Sequence, residues 1–593
     1  MRFIGVLALG ALSCASAHEG EAQIPFRGLS RPQTLPPPSR PLQWGDINVI
    51  HTTDTHGWLL GHQKQSFPEP NYRIQEKDVD LLLVDSGDLH DGTGLTDGFP
   101  PGGVDAQDSN EFFKRIPYDA LAIGNHELYT YANTFDMHMN FGPHFQGRYL
   151  SSNVNITVYD ANNRSVSVPV GNRYSKFTTR KGRSVTAFGV IFDFVGSDKN
   201  TTIQRVEDMV RERWFADAIE DEPDLFLLVG HMPVARDRWP IVFNAIRKVH
   251  PTTPILIFGG HTHVRDCLQL DGRSMSLASG RYMETLGWMS VDLDEQGSTG
   301  PLNFSRRYLD TNRVTYEYHT NRTNLTFGTA EGRNITYGLL RLSERFDLDH
   351  QYGVAPHDFT MTRAPYPSND SILTLIVEEA VPTVLAMNSP RAGIPSLLII
   401  SSGSQRFDIF RGPFTKNDRL TASPFVNKYL FIPNMPFAAA MQVLPALNHA
   451  GAERLWPVAA AAETPQIRAW RQEREVEEGY RAWVRDMHQR YDASAAVDGL
   501  TPGYVTTDSC PGAGDDTPHT PLPFYPIPDF IASRTPDGAA TVDLVFVDFI
   551  AAQLIRTLNA VQTARVYTLA DASVYGPVLS NEVLGMYAEA AWN

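Results

Sequence analysis

The sequence predicts an α/β protein of two domains, the first a set of buried strands flanked by helices and the second of α+β type. Three observations carry this. A chain of 593 residues exceeds what one hydrophobic core ordinarily supports. Five short apolar runs, each bounded by turn formers, are too short for helices and fit strands buried on both faces. Between them lie segments with apolar residues at helical spacing, so strands and helices alternate.

In chain order, "MRFIGVLALGALSCASAHEG" offers a positive Arg2, an apolar stretch and an A-x-A site, which predicts a signal peptide over residues 1–17. Residues 18–43 contain "RPQTLPPPSRP", a proline content that bars a helix or central strand and predicts a stiff leader. The first domain is expected over 44–311. Its strands are "INVIHTTDTH", "VDLLLVDSGD", "YDALAIGNHE", "PDLFLLVGH" and "TPILIFGGHTH", with helices in "SNEFFKRI" and "RVEDMVRERWFADAIE". "SMSLASG" and "TLGWMSVDLD" alternate like a closing hairpin.

A polar, sequon-rich linker is expected over 312–345, and a second domain over 346–593. That domain has a helical start in "NDSILTLIVEEAVPTVLAM" and a strand in "SLLIISSGSQR". "QEREVEEGYRAWVRDMHQRYDA" reads as a helix whose charges form a solvated face without a functional role.

The formal net charge of −16, with no basic run, argues against long nucleic acid or anionic membranes as partners. No membrane anchor is expected, since "TVDLVFVDFIAAQLI" carries Asp543 and Asp548 and the end "YAEAAWN" lacks an apolar tail. Sequons at Asn155, Asn163, Asn200, Asn303, Asn321, Asn324, Asn334 and Asn369 agree with a secretory route. Their absence from residues 44–150 is compatible with a buried catalytic half there. Signal cleavage would leave Cys267 and Cys510, for which a disulfide and two free buried thiols are both open.

The strand exits carry the chemistry. They supply Asp54 and His56, Asp88, Asn125 with His126, His231, and His261 with His263. Two carboxylates, an amide and four imidazoles beyond His126, with no thiolate, suit zinc, manganese or iron. Such a set is too large for one tetrahedral ion. With one carboxylate shared it fits two ions roughly 3.5 to 4 Å apart, the arrangement used for in-line attack at phosphorus.

The order "DTH", "GD", "GNHE", "GH", "GHTH" resembles the calcineurin-like metallophosphoesterases over about residues 46–310. The resemblance implies a metallophosphoesterase β-sandwich with helices outside. It implies Asp54, His56, Asp88 and His263 on one divalent ion, and Asp88, Asn125, His231 and His261 on the other. Asp88 would bridge them. His126 would be no ligand; it would contact the phosphoryl group and stabilise charge or protonate the leaving oxygen. Its orienting carboxylate is expected to be Asp91, which matches the wider superfamily, with Glu127 in reserve. Nucleotidases often carry Asp three residues after this histidine, where this chain has Tyr129.

"SSGSQRFDIFRGPFTKNDRLTASPFVNK" resembles the C-terminal substrate domain of the 5′-nucleotidases, which implies substrate binding by Arg406 and base stacking by Phe425. A flat, permanently charged guanidinium and an aromatic face suit a nucleotide. Two positions depart from that pattern: Ser401 stands where the family usually has Asn, and "FIAAQLIRTL" from Phe549, which looks helical, replaces the glycine-rich segment bearing a second stacking ring.

The resemblance is to secreted or vacuolar fungal members. It implies a dinuclear-metal phosphohydrolase that removes the 5′-phosphate from nucleotides, or cleaves related nucleotide phosphoesters, through a metal-bridging hydroxide. The alternatives are a broad phosphomonoesterase or cyclic-nucleotide phosphodiesterase, and a metal-binding glycoprotein without catalysis.

Overall fold

All five apolar runs form buried strands. They are β1 (Ile47–Thr52), β2 (Asp80–Asp85) and β3 (Ala120–Ala122), with "PDLFLLVGH" and "TPILIFGGHTH" giving Leu225–Val229 and Ile255–Gly259 further along. The computed structural model describes residues 35–62, 78–235, 237–293, 298–387, 389–449, 465–491, 499–534 and 538–593. The expected signal peptide and the leader up to residue 34 lie outside the described residues. The leader's described end, 35–43, forms neither helix nor strand, and its Ser39 amide donates to the Asp516 carbonyl (3.0 Å).

Helix α1 (Gln107–Phe113) precedes β3 in the chain, and β4 (Tyr149–Leu150) follows it. Next are β5 (Tyr174–Thr178), β6 (Ser184–Gly189), β7 (Leu225–Val229), helix α2 (Trp239–Val249) and β8 (Ile255–Gly259). Then follow β9 (Arg265–Leu268), β10 (Ser274–Ser279), β11 (Thr285–Asp292) and β12 (Asn303–Asp310). They build two six-stranded sheets, in the orders β12-β11-β1-β2-β3-β4 and β9-β10-β8-β7-β6-β5.

The central strands are parallel, β1 to β2 to β3 in one sheet and β6 to β7 to β8 to β10 in the other. Their side chains alternate between two cores. Val49, Leu82, Leu227 and Leu256 fill the space between the sheets. Leu83, Phe226, Leu228 and Ile257 face a second core that includes Trp239 and Ile246 of α2. Burial on both faces is why these strands read as unbroken apolar runs. Each fully buried Leu or Phe contributes about 1.5–3 kcal/mol.

Two local expectations are corrected. "SMSLASG" and "TLGWMSVDLD" do not form a hairpin: β10 pairs with β8 and β9, whereas β11 crosses to the other sheet between β1 and β12. Both strands are buried almost throughout, so each needs neighbours on two sides that a hairpin would not give. "RVEDMVRERWFADAIE" forms two short helices, Val206–Met209 and Arg213–Ala218. The stretch expected as a linker is helical, ending in α3 (Ala330–Arg345), whose Ile335, Leu339 and Leu342 share one face and join the core that holds Phe113. That spacing is helical, but the sequons around it masked the stripe.

The later residues build a five-stranded sheet from β13 (Ser396–Ser401), β14 (Lys428–Pro436), β15 (Phe530–Ala532), β16 (Thr541–Val547) and β17 (Ser573–Leu579), in the order β15-β13-β16-β14-β17. Between β14 and β15 in the chain lies α4 (Pro465–Arg490), and after β16 comes α5 (Ala551–Val561). The chain after α4 does not stay with this sheet. Residues 501–522 run over the sandwich, where Asp508 accepts from Arg306 Nε and from the Tyr308 hydroxyl, each at 2.7 Å. Arg265 donates to Asp515 at 3.0 Å, and Cys510 is bonded to Cys267 of β9.

That disulfide resolves the choice left open above. It closes a loop of 243 residues, so removing it should widen the unfolded ensemble and cost about 2–4 kcal/mol. The double variant Cys267→Ala with Cys510→Ala is therefore expected to unfold at a lower temperature than the parent in differential scanning calorimetry. An unchanged transition would show the bond to be dispensable.

The sequon asparagines whose side chains are described lie outside the core. Asn163, Asn303, Asn321, Asn334 and Asn369 are exposed, and Asn155 and Asn200 are half-buried. Among the described residues no helix is long and apolar enough to cross a membrane.

Candidate metal centre and substrate pocket

The candidate ligands sit where β1, β2, β3, β7 and β8 end, on loops that turn sharply. Asp54, His56, Asp88, His261 and His263 all have positive φ, between 44° and 74°. Such backbone costs of order 1–3 kcal/mol per non-glycine residue and gathers at functional sites. Two glycines show why the loops fit together. A Cβ on Gly124 would lie 2.1 Å from Asp88 Oδ1, and one on Gly260 would lie 2.2 Å from Thr53 Oγ1.

These turns bring the side chains into two buried groups that share Asp88. One ligand atom from each of Asp54, His56, Asp88 and His263 lies within 4.8 Å of the others, and the same holds for Asp88, His231 and His261. His231 Nε2 is 2.8 Å from Asp88 Oδ2, which His56 Nε2 approaches to 3.8 Å. His263 Nε2 lies 3.2 Å from His56 Nε2 and 3.4 Å from Asp54 Oδ1. The His261 ring stacks on Phe192 at 4.0 Å, and its amide donates to Asp54 Oδ1 (3.1 Å). Asn125 is buried between Gly124 and His126, which both contact Asp88; its Nδ2 donates to the Tyr129 hydroxyl (2.8 Å).

The donor chemistry fits divalent cations. His231 Nδ1 donates to the Ser86 carbonyl (2.9 Å) and His56 Nδ1 to those of His90 and Asp91 (2.8 Å each), so each imidazole turns its other nitrogen inward. This is how metal-ligating histidines are held. Burial pushes the Asp88 and Asp54 carboxyls up, but the neighbouring imidazoles, His231 foremost, outweigh it and hold both below the usual range. Burial also works against a charged His231, yet Asp88 and Asp54 raise its pKa to about 9. The pocket thus favours positive charge between these groups. His56, by contrast, is lowered to about 4, chiefly by burial, and is poised as a neutral donor.

His126 stands beside this cluster with its ring 4.6 Å from that of His56. Its Nδ1 is 2.6 Å from Asp91 Oδ2, and since an ionised carboxylate only accepts, Nδ1 carries the proton. Its Nε2 points to the cluster, 4.0 Å from Asp88 Oδ2. Burial raises the Asp91 carboxyl, but the hydrogen bond and charge of His126 hold it low. Glu127 is committed elsewhere: its carboxylate accepts from the amides of Asp88, Leu89, His90 and Gly124, bracing the loops after β2 and β3.

Behind Asp91 the structure adds two carboxyls that the sequence did not single out. Asp105 is pushed well above its ordinary pKa, first by burial and then by Asp91 and Asp97, whose carboxyl oxygens lie within 4.8 Å of its own. Asp97, raised to about 7 by burial and Asp91, accepts from the Gly92 amide (2.9 Å). Asp97 and Asp105 stand in no periodic pattern and in no motif, so nothing marked those two beforehand.

Arg406 and Phe425 line one pocket, with the guanidinium 5.4 Å from the ring centroid. Ser401 lines it too, its Oγ accepting from the Gly403 amide (3.2 Å). As expected, the "FIAAQLIRTL" stretch is helical, a 3-10 turn at Phe549 and Ile550 leading into α5, and none of it is among the residues lining this pocket. Phe407, next to Arg406 in the chain, has its ring 4.8 Å from Trp58 and 6.3 Å from Tyr282. The Tyr282 ring lies 5.5 Å from His56 and 5.7 Å from His263.

The reading of α4's charges as a solvated face is wrong. Arg474, Glu477, Glu478 and Arg481 line the Arg406 pocket. Glu477 is buried and accepts from Arg281 (2.9 Å). Burial pushes its carboxyl up, but Arg281 and Arg481 outweigh that and lower it to about 2. A signal was present: Val476, Tyr480, Val484 and Met487 define the buried stripe, and Glu477 sits on its edge.

Residues 47–265 match the family described as calcineurin-like phosphoesterase, and residues 358–555 the family described as NAD nucleotidase, C-terminal domain. The chain is 34% identical to a protein of Arthroderma benhamiae described as a secreted protein, over 100% of this chain and 98% of that one. It is 33% identical to an uncharacterized protein of Schizosaccharomyces pombe, over 93% of each. Among solved structures it is similar to the 5′-nucleotidase from Candida albicans, at 32% identity and a TM-score of 0.74, covering 93% of this chain and 99% of the other. The fold is also similar to the 5′-nucleotidase precursor from Thermus thermophilus, at 15% identity and a TM-score of 0.50, covering 92% and 96%.

Proposed function

Because the chain belongs to the calcineurin-like phosphoesterases of the 5′-nucleotidase family, we propose that it is a secreted hydrolase that removes the 5′-phosphate from nucleotides. The observation that carries this is the pair of buried ligand groups sharing Asp88, next to the His126–Asp91 pair. Asp54, His56, Asp88 and His263 would hold one divalent ion, and Asp88, Asn125, His231 and His261 a second. The donor set suits zinc, manganese or iron. Bound there, the ions supply Lewis-acid neutralisation of phosphoryl charge and a water activated for in-line attack.

The protein's own groups do the rest. His126, fixed by Asp91 through Nδ1, presents Nε2 to the phosphoryl group, where as an imidazolium balanced by the Asp91 carboxylate it stabilises developing charge or gives its Nε2 proton to the leaving oxygen. Arg406 and Phe425 bind the nucleoside end, one by its charged fork and the other by its ring face. Export is supported by the signal-like start of the chain, by the sequons lying outside the core, and by the relative described as secreted.

A substrate panel tests the reading. Deglycosylated, metal-replete protein is expected to hydrolyse AMP with a kcat/KM at least about tenfold above that for a sugar phosphate or p-nitrophenyl phosphate, the value of one charged hydrogen bond. Arg406→Ala should raise KM for AMP more than for p-nitrophenyl phosphate. Equal rates on all monoesters would replace this reading with a broad phosphomonoesterase, and cleavage confined to a 2′,3′-cyclic nucleotide would point to a phosphodiesterase.

A further inference from the structure

We propose that α4 forms the second wall of the nucleoside pocket, with Arg474 and Arg481 selecting the nucleoside part of the substrate; this rests on the nucleotide reading above. Phe425 is the one aromatic ring among the described residues lining the pocket. A base resting on a single ring needs something flat or hydrogen-bonding across from it. A guanidinium offers both, since its plane stacks on bases and its edge donates to ring nitrogens, carbonyls and ribose oxygens.

The two arginines are held for that task. Arg474 Nε is 3.2 Å from Glu478, and Arg481 Nε is 3.3 Å from Glu477, each pair one turn apart on the helix. Glu478 pairs with Arg474 and Glu477 is shared by Arg481 and Arg281, so the lining sets Glu477, Glu478 and Asp529 against Arg406, Arg474 and Arg481. A wall of this kind gives little attraction to a free anion and offers donors and acceptors to a neutral base and its ribose. It therefore selects by the shape and polarity of the nucleoside, leaving the phosphate to the metal cluster.

The wall is also set at a fixed place relative to that cluster. Glu477 accepts from Arg281 at 2.9 Å, both side chains being buried, and the Arg281 guanidinium stacks over Tyr480 at 3.6 Å. The next residue after Arg281 is Tyr282, whose ring contacts His56 and His263. Val264, which follows His263, packs against the Tyr480, Val484 and Met487 cluster of α4. The helix is thus anchored on the loop that carries His261 and His263 and on the turn whose Tyr282 touches His56 and His263, although it lies between β14 and β15 in sequence.

Adenosine, which carries no phosphate, is the probe. In calorimetric titrations Arg474→Ala and Arg481→Ala are each expected to weaken adenosine binding about tenfold, and to lower kcat/KM for AMP relative to p-nitrophenyl phosphate by a similar factor. Arg481→Lys keeps the charge but loses the plane, so it should lose affinity as well, and it carries the test if the alanine variants fold poorly. Unchanged adenosine affinity in these variants, while the parent prefers AMP, overturns the role of α4 and leaves the nucleotidase reading intact. A parent protein that neither binds adenosine nor prefers AMP overturns both.

Discussion

Asp88→Ala is expected to abolish phosphoester hydrolysis and to leave the protein with fewer bound divalent ions than the parent. Asp88 belongs to both ligand groups, and its Oδ2 is 2.8 Å from His231 and 3.8 Å from His56. Without it the inward nitrogens face one another with no shared anion. The side chain also accepts the His126 amide through Oδ1 (3.0 Å), so a loss in Ala could reflect a displaced loop. Asp88→Asn separates the two effects: it keeps an oxygen for that amide and removes the charge, and it too should lose metal. Metal content by mass spectrometry, measured with turnover of AMP and p-nitrophenyl phosphate, decides the matter. Either variant retaining both ions and full turnover would refute the shared-ligand assignment.

The second large effect is expected at His126. His126→Ala should keep the metal content of the parent while kcat falls by roughly 10² to 10⁴, the range for loss of a positioned acid or charge stabiliser. Asp91→Asn should lower kcat in the same direction but less, because an amide holds Nδ1 more weakly than the carboxylate now 2.6 Å away. Rates at saturating substrate measure this. Full turnover in Asp91→Asn would remove Asp91 from the role of orienting carboxylate. Glu127 could not easily take it over, being occupied by four backbone amides.

What the sequence disclosed follows from the range of the contacts involved. The strand exits were legible because Val-Leu-Ile runs ending in Gly, Asp or His report local burial and turning, and parallel strands align their exits at one edge. The gathering of Asp54, His56, Asp88, His231, His261 and His263 followed from that alignment. Less was visible where a residue answers to a distant partner. The crossing between Ser279 and Thr285 depends on which sheet has room for β11. The buried pairing of Glu477 with Arg281 spans 196 residues, and the bond between Cys267 and Cys510 spans 243. Pattern within a window of a dozen residues carries none of this.

The segment that runs back over the sandwich has a bearing on any attempt to dissect the molecule. Arg265 and Arg306 of the sandwich are almost wholly enclosed, and their carboxylate partners include Asp515 and Asp508, some two hundred residues downstream. A truncation ending near residue 311 would leave Arg265 with Asp310 alone and strip Arg306 of Asp508, at a penalty of about 3–5 kcal/mol for an enclosed charge without its counter-ion. The catalytic half is therefore no detachable module: it borrows part of its casing from the far end of the polypeptide.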